Sequence, residues 1–183
     1  YLVSLIKDGG QYIRNRGYDY AQNKEYQKAY QLYLDSAALF NNADAQNSLG
    51  ILYQKGQYVE KDLNRAAYWY ELAANQDNIY AQSNLGAVLR ELNQYDKALY
   101  WLRKATDKGN ATAANALALC YLNAEGVDLD LSKAIHYFEI ASDRNNYYAD
   151  YNLGKIYTSQ HINYEKALRH YEKSALHNHK GAL

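Results

Sequence analysis

One small residue recurs at a fixed place along this chain, at Gly17, Gly50, Gly86, Ala118 and Gly154, and it sets the register of everything else. Three residues later stand Tyr20, Tyr53, Leu89, Tyr121 and Tyr157. After a linker comes a second anchor, Ala29, Ala66, Ala98, Ala134 and Ala167, followed within four residues by Tyr33, Tyr70, Leu102, Phe138 and Tyr171. Ala37, Ala74, Ala105, Ala141 and Ala175 close each unit. In the clearest unit Ala45, Leu49 and Tyr53 lie four apart, on one side of a helix, and Ala66, Tyr70, Ala73 and Ala74 make a second stripe. Each stripe is too narrow to bury itself, so the two helices pack as a hairpin and the hairpins pack on one another. A glycine inside a helix costs about 1 kcal/mol against alanine. Its recurrence at one position implies close approach of the paired helix, where a side chain would not fit.

The spacing from small residue to anchor alanine runs 12, 16, 12, 16 and 13 through the five units. Asp62 and Asp130 stand four before their anchors, where a side-chain oxygen caps the exposed amides of the second helix, and Asn163 matches them in the fifth unit. Proline is absent and glycine occurs 10 times, so the chain reads as helical throughout. The expected boundaries are the end of a preceding repeat over 1–10, repeats at about 11–44, 45–80, 81–112, 113–148 and 149–181, and the start of a further repeat at 182–183, all in one repeat domain. Tyr1 to Lys7 reads as the tail of an earlier second helix and Ala182 as the start of a new first helix. More repeats are therefore expected beyond one or both ends.

The pattern Ala-x3-Leu-Gly-x2-Tyr, then Gly, Val and Asp, then Ala-x2-Trp-Tyr-x2-Ala-Ala resembles the Sel-one-like repeat, a longer relative of the tetratricopeptide repeat. The second unit matches at Leu49, Gly50, Tyr53, Gly56, Val59, Asp62, Ala66, Trp69, Tyr70, Ala73 and Ala74. The fourth matches at Leu117, Tyr121, Gly126, Val127, Asp130, Lys133 and Ala134. Departures are Tyr58, where a second loop glycine is usual, Ala118 in place of glycine, and one extra residue before Ala45. The resemblance implies an all-α fold, a right-handed α-solenoid of about five helix-turn-helix repeats whose first helices line a concave face. It also implies an adaptor or scaffold rather than an enzyme, which agrees with the extended inner surface of stacked hairpins.

Twenty basic residues balance twenty acidic ones, which demotes nucleic acid as a partner. No run of eighteen apolar residues exists, so membrane insertion is not expected. No phosphate loop, nucleophile elbow or zinc signature appears, and no cofactor is implied. The single cysteine, Cys120, reads as a buried apolar thiol, and the compartment stays open between cytoplasm and periplasm. The histidines are His136, His161, His170, His177 and His179. His170 and His177 share a helical face, but no carboxylate completes a metal set. Glu60 with Asp62 and Asp128 with Asp130 read as loop solvation and capping. Asn110-Ala111-Thr112 fits a glycosylation acceptor, a motif short enough to arise by chance.

Many of the 22 tyrosines hold repeat positions, where packing with the hydroxyl toward solvent is the ordinary role. Tyr18, Tyr80, Tyr148 and Tyr151 fall outside that register, on the inward face of the first helices, and tyrosine is enriched at contact surfaces. Asn15, Asn84 and Asn152 each stand two before the small residue. In tetratricopeptide proteins the corresponding asparagine often bonds the backbone of an extended peptide, since an amide offers donors and an acceptor together; its rival role is to link neighbouring hairpins. The second and fourth units break the ladder, with Asn47 and Asn115 one residue early. Arg90 and Lys155 add charge. The expected contact set is thus Asn15, Tyr18, Tyr80, Asn84, Arg90, Tyr148, Tyr151, Asn152 and Lys155, gripping a protein or peptide with no turnover. The alternatives are an inhibitor or immunity factor that plugs an enzyme, and a hydrolase of the cysteine-rich repeat type, which the missing cysteines disfavour. Oligomeric state stays open.

Overall fold

The structure, a computed structural model, describes residues 2–159 and 163–180, with side chains over 8–159 and 163–176. Among these residues the chain forms ten helices and no strand: α1 Leu2–Gln22, α2 Tyr26–Phe40, α3 Ala43–Lys55, α4 Leu63–Asn75, α5 Ile79–Glu91, α6 Tyr95–Asp107, α7 Ala111–Asn123, α8 Leu131–Asp143, α9 Tyr147–Ser159 and α10 Tyr164–Lys180. Ala182 and His161 lie outside the described residues, as do the side chains of His177 and His179. Residues 2–10 are continuous with the rest of α1. No proline interrupts that run, and Gly9 and Gly10 are tolerated because Phe40 of α2 lies against them.

The helices gather into two compact units, residues 1–94 and 95–183. In the first unit α1 pairs with α2 and α3 with α4, while α2 packs on α3 and α4 on α5. In the second, α6 packs on α7, α7 pairs with α8, α8 packs on α9, and α9 pairs with α10. The anchor alanines sit at the bottom of these seams, with Ala29, Ala66, Ala98 and Ala134 fully buried and Ala167 nearly so. Small residues let backbones approach, and the rings one turn on fill what remains. Cys120 is buried within the core of the second unit.

Each joint from a second helix to the next first helix has one construction. A residue in the left-handed region, Asn41, Asp77, Gly109 or Asn145, reverses the chain. The asparagine after it then caps the new helix: Asn42, Asn78, Asn110 and Asn146 accept from the amides of Ala45, Ala81, Ala113 and Ala149 at 2.9–3.0 Å. Asn110 is therefore engaged as a cap, which gives its glycosylation-like context a structural role. The expected caps of the second helices are present too, with Asp62, Asp130 and Asn163 accepting from the amides of Arg65, Lys133 and Lys166 at 2.9 Å. In the two long linkers left-handed residues fall at Gly56 and Tyr58, then at Ala124 and Gly126. Gly126 thus corresponds to Tyr58 rather than to Gly56, and Tyr58 sits where the resemblance calls for glycine.

Candidate functional site

The tyrosines at repeat positions are core, and their hydroxyls are satisfied at the margin. Tyr70 donates to Gln54 Oε1 at 2.6 Å, and the Tyr30 and Tyr53 hydroxyls bond each other at 2.9 Å. Burial, with the Tyr53 hydrogen bond second, pushes the Tyr30 phenol up to about 12. Burial likewise raises Tyr33, Tyr70, Tyr137 and Tyr157.

Tyr18, Tyr80, Tyr148 and Tyr151 are the opposite case, with exposures of 46%, 71%, 60% and 51%. In the second unit Tyr148, Tyr151, Asn152 and Lys155 follow one another at helical spacing along a single face of α9. The Lys155 ammonium lies 5.7 Å from the Tyr151 ring, and Tyr151 meets the edge of Tyr171 at 6.1 Å. Tyr148 packs on Tyr147 with ring centroids 4.1 Å apart. In the first unit Tyr80 and Asn84 share a face of α5, whereas Asn15 and Tyr18 stand on α1. Asn15 is exposed and accepts from Gln11 Nε2 and Arg14. Arg90 is half-buried in the last turn of α5, about 120° around the helix from Asn84 at 3.6 residues per turn, and so does not join that face.

The asparagines pair with one another. Asn84 Nδ2 donates to Asn47 Oδ1 at 3.0 Å, tying α5 to α3, and Asn152 Nδ2 donates to Asn115 Oδ1 at 3.4 Å, tying α9 to α7. The one-residue break in the sequence ladder is the pairing itself, because neighbouring first helices meet one residue out of register. Each tie consumes one donor and one acceptor and leaves Asn47 Nδ2 and Asn84 Oδ1, or Asn115 Nδ2 and Asn152 Oδ1, for a further contact.

Sequence reasoning missed two features. Exposed Tyr68 and Tyr100 lie edge-on to Trp69 and Trp101 on second helices, a pair readable as adjacent rings after the anchor alanine. Buried Asp150 receives Ser142 Oγ at 2.6 Å, with His170 Nδ1 at 3.0 Å and Lys173 Nζ at 3.6 Å. Ser142 donates to the carboxylate and accepts from Lys173 at 2.7 Å, and with Ser142 and Asp150 both buried the group ties α8, α9 and α10 together. Among the described residues no group of three metal-ligating side chains converges, and no helix is long and apolar enough to cross a membrane.

The repeat geometry is matched by comparison with known proteins. The Sel1 repeat family matches residues 43–78, 79–110, 111–146 and 148–179. The chain belongs to the Sel1 repeat family. A sel1-like repeat-containing protein of Acanthamoeba polyphaga mimivirus is 32% identical over 113 residues, 62% of this chain and 21% of the relative. A protective antigen present in uropathogenic Escherichia coli strains, with an SLR fold, superposes at a TM-score of 0.83 and 31% identity over 91% of this chain and 38% of the antigen. An immunity protein of Pseudomonas aeruginosa superposes at 0.59 and 26% identity, over 80% of this chain and 56% of that one. This chain therefore spans about a fifth of the viral relative and under two thirds of either structure. Its fold class is the all-α solenoid class of Sel1 repeats, a fold that commonly mediates protein–protein interaction and generally serves as a non-enzymatic scaffold.

Proposed function

We propose that this Sel1 repeat chain holds a partner protein or peptide on the faces of its first helices, without turnover. The observation that carries the reading is the α9 face, where two half-exposed tyrosine rings, a lysine and a paired asparagine follow one another over two turns. Rings of this kind bury much area at little rotamer cost, and the paired amides offer preset donors and acceptors to a peptide backbone. The α5 face, with Tyr80 and Asn84, repeats the arrangement in the first unit.

The test takes the partner recovered from the native host and measures its affinity for a variant with alanine at Asn15, Asn84, Asn152, Tyr18, Tyr80, Tyr148 and Tyr151. A variant with alanine at Tyr68 and Tyr100 serves as the control for exposed rings on second helices. Loss in the first with retention in the second supports the reading. Full binding by a folded seven-residue variant overturns it.

The likeness to an immunity protein favours a second reading, in which the same face blocks an enzyme or toxin. It differs in outcome: tight one-to-one binding that abolishes a partner's activity.

A further inference from the structure

The first unit contains a cleft of about 360 Å³ between α1, the turn after it, and α3. Its lining includes Arg14, Lys24 and Lys55, together with Tyr18, Asn47 and Ser48, and no carboxylate. Two other clefts, of about 380 and 540 Å³, are mixed in charge: the first sets Glu139 and Asp143 against Arg169 and Lys173, and the second sets Glu60 and Asp62 against Lys61 and Arg65. The first cleft differs because its cations are left uncompensated. Among the described residues Arg14 bonds only the neutral Asn15 amide, lies 5.3 Å from the Tyr18 ring, and has a buried Nε–H with no hydrogen-bond partner. Lys24 is held at the cleft by a left-handed turn residue's backbone, at φ 61°, and Lys55 closes the last turn of α3. Neither lysine is ion-paired among the described residues.

Three like charges around one concavity repel, and a buried guanidinium donor without an acceptor is a desolvation cost left standing. A carboxylate entering the cleft relieves the repulsion. We infer that this cleft takes an acidic side chain of a partner peptide, with Arg14, Lys24 and Lys55 meeting the carboxylate while the Tyr18 ring and the remaining Asn47 amide proton position the backbone beside it. This deepens the peptide-binding reading and rests on it. The volume fits a short peptide segment rather than a single ion. With three cations at its rim, this cleft gives affinity a salt dependence.

The experiment titrates the isotope-labelled full chain with N-acetyl-Glu-Glu amide, with its Gln-Gln isostere and with inorganic phosphate, following the Arg14 Nε–H and the Lys24, Asn47 and Lys55 amides by NMR. The expected result is saturable shifts at these resonances with the Glu-Glu probe, and affinity weaker by about tenfold for the isostere, the difference between a charge-assisted and a neutral contact. Lys24→Gln and Lys55→Gln, surface changes that spare the core, each weaken the Glu-Glu probe and flatten its salt dependence. Shifts of equal affinity with the isostere overturn the proposal, as does unchanged affinity in both lysine variants or no saturable shift at all. Saturation by phosphate alone assigns the cleft to phosphoryl groups and overturns the acidic-peptide reading. Partner binding that survives Lys24→Gln with Lys55→Gln, yet is lost on alanine replacement of Tyr148 and Tyr151, sinks this inference while leaving the wider function standing.

Discussion

Gly50 in α3 lies so close beneath the ring of Tyr70 in α4 that a Cβ at Gly50 would sit 2.5 Å from both Cδ1 and Cε1 of that ring. Tyr70 is fully buried and cannot swing away. Gly50→Ala is therefore expected to destabilise the chain by about 1–2 kcal/mol, since overpacking at so short a contact, about 2–3 kcal/mol, exceeds the roughly 1 kcal/mol gained in helix propensity. Adding Tyr70→Leu, which copies Leu102 of the third repeat, should make the double variant less unstable than the two single losses combined. Urea midpoints of the four proteins check this, and a neutral Gly50→Ala would show that α3 and α4 are not held at this distance.

That packing was legible in the sequence because a one-dimensional register carries it. The small residue, the anchor alanine and the ring four residues on recur, and the structure buries all of them in the first unit at Gly17, Ala29 and Tyr33 and again at Gly50, Ala66 and Tyr70. Caps at Asp62, Asp130 and Asn163 were legible for the same reason. The first-helix caps were written just as plainly, as Asn-x-x-Ala, but the apolar stripes drew the reading to the second helices. What could not be read is what depends on an offset between chain-distant helices. Asn47 pairs with Asn84 across such an offset, and Arg14, Lys24 and Lys55 share a cleft although no local motif joins them.

Asn78 caps α5 through Oδ1 and reaches back through Nδ2 to Asp44 Oδ1 at 2.7 Å. Asn78→Ala removes both and is expected to cost about 1–2 kcal/mol, the usual loss for a cap with a tertiary bond added. Asn78→Ser keeps an oxygen for the Ala81 amide and should recover about half of it. Hydrogen exchange at Ala81 separates the contributions: protection falls in Asn78→Ala and persists in Asn78→Ser.

Ala124 ends α7 in the left-handed region at φ 58° with its side chain exposed. A Cβ there opposes the backbone conformation and packs against little. Ala124→Gly should stabilise by about 0.5–1 kcal/mol, the left-handed penalty less the chain entropy of glycine. Gly126→Ala should do the reverse and more strongly, because φ is +70° and the added carbon would meet Tyr95 Cβ at 2.5 Å. Equal thermal midpoints for Ala124→Gly and the parent chain would refute the assignment of strain.

The Tyr30 phenol, raised from 10.0 to about 12, holds its proton more tightly when folded than when unfolded. Its contribution to stability is therefore complete below pH 10 and is lost as pH climbs from 10 toward 12. Tyr33, Tyr70, Tyr137 and Tyr157 shift in the same direction, so alkaline loss should be general and steepest above pH 10. Thermal midpoints across this window, with phenolate absorbance followed in parallel, should show a shallower decline for Tyr30→Phe than for the parent. A decline that begins below pH 9 would point to other groups.

Asp150 stands where the second and third repeats carry buried Gln46 and Gln82, and it is fully enclosed with its Oδ2 lacking any hydrogen-bond partner. A carboxylate survives there because His170 and Lys173 of α10 and the Ser142 hydroxyl all meet Oδ1. The two halves of this arrangement are not equivalent. Asp150→Ala leaves a lysine and an imidazole that can turn to solvent, since Lys173 is 37% and His170 22% exposed at the side chain. Removing these partners with His170→Leu and Lys173→Met instead strands a carboxylate in the seam between α8 and α9, at a cost of about 3 kcal/mol. The double variant should therefore be less stable than Asp150→Ala, and adding Asp150→Gln to it should restore most of the loss, because glutamine is neutral and its amide is already accommodated at Gln82, where Nε2 donates to the Ala74 carbonyl at 3.1 Å. Urea denaturation of the three variants decides the matter, and a triple variant no more stable than the double would mean that volume rather than charge governs this position.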